Sequence, residues 1–415
     1  MLAALGGGVL LAGVAAPAAR AQSASQEAVM TRARPDFDPI GIEVFFDEKK
    51  PSAPITVFPK LDLHSGYDSN VFRESSNGKA DMFSDISPSL RVTNTEQDLG
   101  LEAGLSATVR RNLQYQSNDF EDYDAYAQAS YFFMEDASLT GQIGYSRAHE
   151  DRSDPNSTGP GENIVQYDRY RAILNSRNRF GDFEVNPQAS YYYYNYMSQA
   201  GSNQDGRDHW EGEFRVRGGY EFLPGYTAFV EPGYNMRRYD LKVDSQGVTR
   251  DSWGWDLHAG LSYDVSAVTT AEVFVGYFQQ KYEDPTLADA GGLTFGAKMT
   301  WNPLDEMTVN ADVSRSVQES TLSGVSSTVA TSYSLGVDYE LTDSVMLTST
   351  AGISTSAFQG SSRSDKSYTF GGGMVYLMNE FARARLNGTY ETRDSNEVAN
   401  NYDDLVVEGT LTLQY

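Results

Sequence analysis

The chain ends on a strand with two unlike faces. Over Val406 to Tyr415 (VVEGTLTLQY), Val407, Gly409, Leu411, Leu413 and Tyr415 share one face, and Glu408, Thr410, Thr412 and Gln414 share the other. Apolar side chains outward, polar ones inward and a terminal aromatic residue are what the closing strand of an outer-membrane barrel needs. Val407, Leu411, Leu413 and Tyr415 also fit the terminal signal read by the bacterial barrel-assembly machinery. The terminus therefore predicts an all-β protein, a transmembrane antiparallel up-and-down β-barrel in the outer membrane of a Gram-negative bacterium.

The same period of two recurs upstream. Leu99, Leu101, Ala103, Leu105, Ala107 and Val109 alternate with Glu102, Ser106 and Thr108. Trp253, Trp255, Leu257, Ala259, Leu261, Tyr263 and Val265 alternate with Asp256, His258, Ser262 and Asp264, and Leu293, Phe295, Ala297, Met299 and Trp301 with Thr294, Lys298 and Thr300. Strict alternation is the signature of a strand with one wet and one apolar face. Aromatic residues sit at one or both ends of many outward sets, as in the girdles that mark membrane interfaces.

Composition removes the competing classes. The mean hydropathy is -0.48, and after the first residues no apolar run is long enough for a spanning helix. A barrel is invisible to hydropathy because only alternate residues face lipid. The formal charge of -25, from 57 acidic and 32 basic residues, excludes nucleic acid as a partner. Zero cysteines exclude a disulfide framework and thiolate metal sites. Residues 2 to 18 are apolar and are followed by Ala19-Arg20-Ala21, a small-x-small cleavage pattern before Gln22, although no basic residue precedes the run. Residues 1–21 are read as a signal peptide, 22–54 as a periplasmic segment and 55–415 as the barrel.

Turn signals give the strand count. Tight turns are predicted at Asn94 to Gln97, Glu135-Asp136, Phe180-Gly181, Leu223 to Gly225, Ser266-Ala267, Pro303 to Asp305, Thr342-Asp343 and Asn379-Glu380. Between them lie longer polar stretches, among them 151–164, 198–206, 241–251, 282–291, 320–327, 359–366 and 393–403. A spacing of roughly 40 residues fits hairpins of about ten to fourteen residues a strand, with short periplasmic turns and long extracellular loops. The expectation is about 18 strands, with 16 as the fallback. Such a barrel is too wide to be filled by its own side chains, and residues 22–54 are too few for a plug domain.

A family resemblance lies near the amino terminus. Arg32-Ala33-Arg34-Pro35-Asp36-Phe37-Asp38-Pro39-Ile40-Gly41-Ile42, then Phe58-Pro59-Lys60-Leu61 and Gly66-Tyr67-Asp68-Ser69-Asn70-Val71-Phe72-Arg73, resembles the amino-terminal signature of the putative beta-barrel porin-2 family. The chain departs from that pattern over Glu43 to Lys50. The resemblance implies an outer-membrane barrel of a Gram-negative bacterium and, as in some members, a place in exopolysaccharide secretion as the exit channel.

Parity nominates lumen residues. Over Val165 to Phe180, Arg169, Arg171, Arg177 and Arg179 fall inward while Tyr170, Ala172 and Leu174 face lipid. Arg215, Arg217, Arg237, Arg383 and Arg385 join them, with Glu184, Glu211, Glu213, Glu221 and Glu231 as the expected counter-charges. Such rows hold a polar wall together or, facing one another across a wet channel, select by charge. Tyr126, Tyr192, Tyr194, Tyr196, Phe229, Phe274 and Phe278 form an inward aromatic set that would suit the apolar faces of sugar rings. The rival reading of the tyrosines is girdle or loop packing.

Catalysis finds no motif. His64, His149, His209 and His258 are scattered, and only His258, two residues from Asp256, suggests a lumen proton acceptor. Asp119, Glu121 and Asp122, or Asp151 and Asp154, lack calcium-loop spacing and read as solvated loop charge. No enzyme activity, cofactor or metal is expected. The expected partners are the lipid bilayer, lipopolysaccharide, the assembly machinery and a periplasmic polysaccharide-export component. A polysaccharide exit channel is the leading reading; a general diffusion porin and a closed structural or adhesive barrel are the alternatives.

Overall fold

The computed structural model describes residues 42–44 (backbone only), 55–95, 98–134, 136–154, 163–198, 203–266 and 268–415. The expected export signal and, apart from Ile42–Val44, the segment 22–54 lie outside the described residues. A short strand β1 (Ile42–Val44) precedes β2 (Ile55–Asp68), β3 (Asp81–Thr95), β4 (Leu99–Asn112), β5 (Phe120–Met134), β6 (Ala137–His149) and β7 (Gln166–Phe180). Then come β8 (Phe183–Tyr196), β9 (His209–Leu223), β10 (Tyr226–Tyr239), β11 (Ser252–Ser266), β12 (Thr269–Tyr282) and β13 (Ala290–Leu304). The chain finishes with β14 (Met307–Glu319), β15 (Ser327–Thr342), β16 (Val345–Phe358), β17 (Ser364–Asn379), β18 (Ala382–Ser395) and β19 (Tyr402–Gln414).

β2 to β19 form an 18-stranded antiparallel barrel, each strand paired with its neighbours in sequence. Closure comes from β19 against β2, with Val406 opposite Asp68 and Gln414 opposite Lys60. The terminal Tyr415 donates its N–H to the Pro59 carbonyl at 3.2 Å and stacks its ring on Phe381 at 5.3 Å. β1 pairs with the start of β2, Ile42 opposite Val57 and Val44 opposite Ile55, and so covers the edge that β19 leaves below Lys60. The eight connections where tight turns are expected all join paired strands, beginning with β3–β4 and ending with β17–β18, with Gln97, Glu135 and Ala267 outside the described residues. The longer connections gather at the other rim.

Outward alternation is as the sequence predicts. Leu105, Ile143, Leu293 and Leu386 are 60, 65, 64 and 56% exposed, the state expected of side chains that meet lipid. Tyr67, Tyr123, Tyr170, Tyr234, Tyr277 and Tyr390 stand outward toward the loop rim, and Phe180, Phe183, Trp301, Phe381 and Tyr415 toward the turn rim. These are two aromatic belts.

The wall departs from a simple cylinder between β13 and β14. β12 pairs with β13 as far as Gln280 opposite Ala290, and β14 pairs with β15 as far as Glu319 opposite Ser327. The β13–β14 ladder, however, stops at Gly296 opposite Ser314. Above that point β14 parts from β13 and folds, with β15 beside it, against the inner face of β10 to β13, while β15 stays laddered to β16 as far as Thr328 opposite Phe358. Val317 and Val329 pack on Phe278 and Ala290, Thr294 Oγ1 donates to the Arg315 carbonyl at 2.9 Å, and Arg237 Nη1 meets Glu319 Oε1 at 2.8 Å. In a circular 18-stranded wall with ~4.8 Å spacing and about 40° tilt, strands four apart stand about 23 Å from one another. An arginine and a glutamate cannot span that gap, so their contact requires the inward bend.

Large inner side chains lie flat over glycines of the adjacent strand. Tyr126 covers Gly104 and Phe274 covers Gly296; a Cβ at either glycine would overlap the ring. Gly104→Val is therefore expected to lift Tyr126 off the wall, break its 2.6 Å bond to Glu102 and destabilise the barrel by about 1–3 kcal/mol. Heat-modifiability on SDS gels should register this as unfolding at a lower temperature; an unshifted transition would mean that the wall yields without strain.

Candidate functional site

The inner wall of β9 to β12 carries a continuous ion-pair ladder. Arg215 is the hub: Nη2 meets Glu213 Oε1 at 2.6 Å, and Nη1 meets Asp256 Oδ2 at 2.8 Å and Glu231 Oε1 at 3.1 Å. One step toward the turn rim, Arg217 bonds Glu231 at 2.6 Å and Glu272 at 2.8 Å and stacks its guanidinium 4.0 Å over the Phe229 ring. One step toward the loops, Arg237 bonds Glu211 at 2.7 Å besides Glu319. His258 joins through Nε2, 3.3 Å from Asp256. Three guanidiniums thus face six carboxylates, and the stripe is net negative. The charges neutralise one another along one wall; they do not face one another across the channel. Their register on neighbouring strands brings them within reach sideways, whereas the diameter is too great for the opposite wall.

The other expected charges are distributed. Arg171 bonds Asp124 at 2.7 Å, Arg169 donates to Ser146 Oγ at 3.2 Å, and Arg179 pairs with Glu221. Glu184 lies over Gly219. Arg177 and Arg383 have no ion pair among the described residues, and Arg385 stands beside Arg383 on the inner face of β18. Asp124, Asp256, Glu272 and Glu319 are partners the sequence did not nominate. Of these only Asp256 was placed inward by its alternation, and only the register says whom each of them meets.

The aromatic set divides in two. Tyr126, Tyr192 and Phe274 keep part of their rings open to the lumen. Phe229 lies beneath Arg217 and Phe278 beneath the hairpin, at 4 and 7% exposure. Tyr194 stacks on His209 at 4.9 Å, His209 on Tyr239 at 4.8 Å, and Tyr167 contacts both Tyr194 and Tyr196. Tyr194 and Tyr196 thus belong to a packed aromatic knot near the loop rim, and their faces are spent on one another. Between β14 and β17 the wall has a different chemistry: Ser334, Thr350, Ser354 and Thr369 project inward beside Gly371 and Gly373, and large side chains are few. This hydroxyl-lined arc follows the charged one round the wall, with β13 between them. Alternating Ser and Thr mark this arc in the sequence.

Loops cover the outer mouth. Arg393 of β18 donates to the Ser153 carbonyl at 2.5 Å, although Ser153 belongs to the β6–β7 connection, six strands away round the wall. The same loop is tied down where Arg152 Nε donates to Asn118 at 2.9 Å. Arg207 Nη1 meets Glu150 at 3.1 Å, and burial pushes the Glu150 carboxyl above its usual range while the Arg207 charge opposes the rise. On the far side, Arg250 Nη1 donates to the Ser320 carbonyl at 2.6 Å, fixing the tip of the inward hairpin.

The histidines have structural partners. His64 bonds Thr410 at 3.0 Å and His149 bonds Asp122 at 3.0 Å. Glu121 and Asp122 lie on β5, not in a loop, and pair with Arg111 and His149. Among the described residues no group of three or more His, Cys, Asp or Glu could hold a metal ion.

A family model described as Putative beta-barrel porin 2 matches residues 51–415. No curated protein matches the chain. Among solved structures the chain is similar to OccK1 (OpdK) of Pseudomonas aeruginosa, with TM-score 0.47, 12% identity and coverage of 86% of this chain and 99% of that one. It is similar to OccK3 (OpdO) of the same organism, with TM-score 0.46, 14% identity and coverage of 86% and 95%. The siderophore receptor PirA from Acinetobacter baumannii gives TM-score 0.47, 7% identity and coverage of 86% and 80%. At this level of likeness, the solutes and partners of those proteins have no bearing on this chain.

Replacing Arg215 and Arg217 together with serine removes the two cations that compensate Glu213, Glu231, Asp256 and Glu272. The wall then gains net negative charge at neutral pH, and the cation-to-anion permeability ratio should rise, as a reversal-potential shift in a salt gradient across a planar bilayer. An unchanged ratio in a variant that still folds would leave these arginines a purely structural role.

Proposed function

We propose that the chain, which belongs to the Putative beta-barrel porin 2 family, is an outer-membrane channel that serves as the exit for a secreted exopolysaccharide. The observation that carries this reading is the inward β14–β15 hairpin. An 18-stranded barrel is wide enough for an aqueous channel, and a polymer exit of that width must stay shut when no polymer is in it. Here the chain narrows its own lumen by folding the upper part of β14 and β15 inward, latched where Glu319 meets Arg237 at 2.8 Å and the Tyr239 and Tyr282 hydroxyls at 3.3 Å each. The passage that remains is lined on one side by serine and threonine hydroxyls and on the other by half-open rings of Tyr126, Tyr192 and Phe274. Both suit a hydroxyl-rich chain. A periplasmic export component would meet the turn rim, where β1 already docks, with the segment 22–54 as its natural contact.

Two measurements test the reading. Deleting the gene should abolish surface polysaccharide and raise the periplasmic pool, with both restored by complementation; unchanged surface polymer would remove the export role. In planar bilayers the wild-type barrel should open rarely. Glu319→Gln, which keeps the shape and removes the charge, should raise open probability about tenfold, the effect of ~1.4 kcal/mol. A general diffusion porin would instead conduct steadily as wild type, and a closed structural barrel would conduct in neither form.

A further inference from the structure

Between the inward hairpin and the wall of β8 to β12 lies a cavity of about 200 Å³, room for several waters at ~30 Å³ each or for one sugar ring. It does not exist in an unbent barrel. The rear is the ion-pair ladder, and the front is the β14 segment from Arg315 to Val317.

Two of its lining side chains hold buried polar atoms without a partner: Asn235 Oδ1, an acceptor on β10, and Arg315 Nε, a donor on β14. Buried polar atoms are nearly always satisfied, so this pair, one of each kind on opposite walls of one cavity, marks a place built for a guest. Arg315 is otherwise held, its Nη1 donating to Thr331 Oγ1 at 3.2 Å, which aims Nε without satisfying it. The guest must therefore both donate and accept hydrogen bonds.

Charge narrows the class further. Among the lining side chains, Arg215, Arg237 and Arg315 stand against Glu211, Glu213 and Asp256, three cations against three anions. An anionic guest would meet a ladder that is already net negative, and a cationic guest would find each lining carboxylate already paired with a guanidinium. A neutral guest meets neither obstacle. Tyr192, half-exposed at the cavity edge, supplies an aromatic face for C–H groups.

We propose that this cavity is a subsite for one neutral pyranose unit, with a sugar hydroxyl donating to Asn235 Oδ1 and another hydroxyl oxygen accepting from Arg315 Nε. The proposal rests on the polysaccharide-exit reading and names the class of polymer that would pass: one containing uncharged hexose units. It also places the contact between the inward-folded β14 and the wall behind it, where an occupant touches both.

The test is titration calorimetry on the full-length barrel in detergent, with neutral trisaccharides of glucose, galactose and mannose as probes and trigalacturonate as the charged control. At least one neutral trisaccharide should bind, and trigalacturonate should bind at least tenfold more weakly. Asn235→Leu, which keeps the bulk and loses the acceptor, and Arg315→Lys, which keeps the charge and loses the Nε donor, should each weaken binding about tenfold. Heat-modifiability checks that both are folded. No binding across the neutral panel, equal binding of the uronate, or unchanged affinity in both folded variants would overturn the subsite. Binding that survives while the deletion strain keeps its surface polymer would remove the export reading and leave the subsite; export that fails in the deletion strain without any binding would do the reverse.

Discussion

Everything in this molecule follows from the need to satisfy backbone amides where no water can reach them. In hydrocarbon an unpaired N–H or C=O costs several kcal/mol, so a sheet that spans a membrane must close on itself. β19 closes on β2, and even the stub of β2 that β19 does not reach is paired by β1. The longest opening of the ladder among the described residues, above Gly296 and Ser314, runs toward the loop rim from around the level of the outer aromatic belt. By register Leu293 stands opposite Tyr277, so the unzipped stretch lies at and beyond the interface, where water is at hand. The same rule that forbids an edge deeper in the wall permits one there.

A wide barrel then faces the opposite problem on its inner surface. Polar side chains must be held in place by one another, since no core packs against them. Arginine serves this well because its planar fork reaches two or three carboxylates at once, as Arg215 does with Glu213, Asp256 and Glu231. Glycine is the complement: it lets the Tyr126 and Phe274 rings lie flat on the neighbouring strand, which leaves the passage clear and presents ring faces instead of edges. The lumen is thereby divided into a charged and aromatic arc and a hydroxyl-lined arc, and a chain passing between them would meet both.

The fold was largely legible in the sequence, while the site was legible only in part. Period-two alternation breaks at each tight turn, so pairs such as Glu135-Asp136 and Asn379-Glu380 declare the hairpins locally, and parity then assigns each side chain to lipid or lumen. What parity cannot supply is register between strands that are not neighbours. Arg217 meets Glu272 across 55 residues of sequence and Arg237 meets Glu319 across 82. The inward bend that enables the second contact leaves its trace only as Gly291-Gly292 at the head of β13, which reads equally well as loop. For the same reason the aromatic residues could be placed inward but not sorted into open faces, such as Tyr192, and spent ones, such as Tyr194.

The bend exchanges one set of bonds for another. Leaving the wall forfeits the ladder bonds of Arg315 to Glu319 with β13, worth about 1 kcal/mol each in net terms where water can replace them. Against this stand the burial of Val317 and Val329, about 1.5–3 kcal/mol each, and the charge-assisted bond at Glu319, about 1.5–3 kcal/mol. The bonds from Arg250 to the Ser320 and Val325 carbonyls and from Thr294 to the Arg315 carbonyl add to the second side. Because β15 stays laddered to β16 from Thr328 to Thr342, a return of β14 to β13 would carry β15 and β16 with it, a movement of the wall and not of a loose flap. A ligand would favour that movement only in proportion to the difference in its affinity for the two positions.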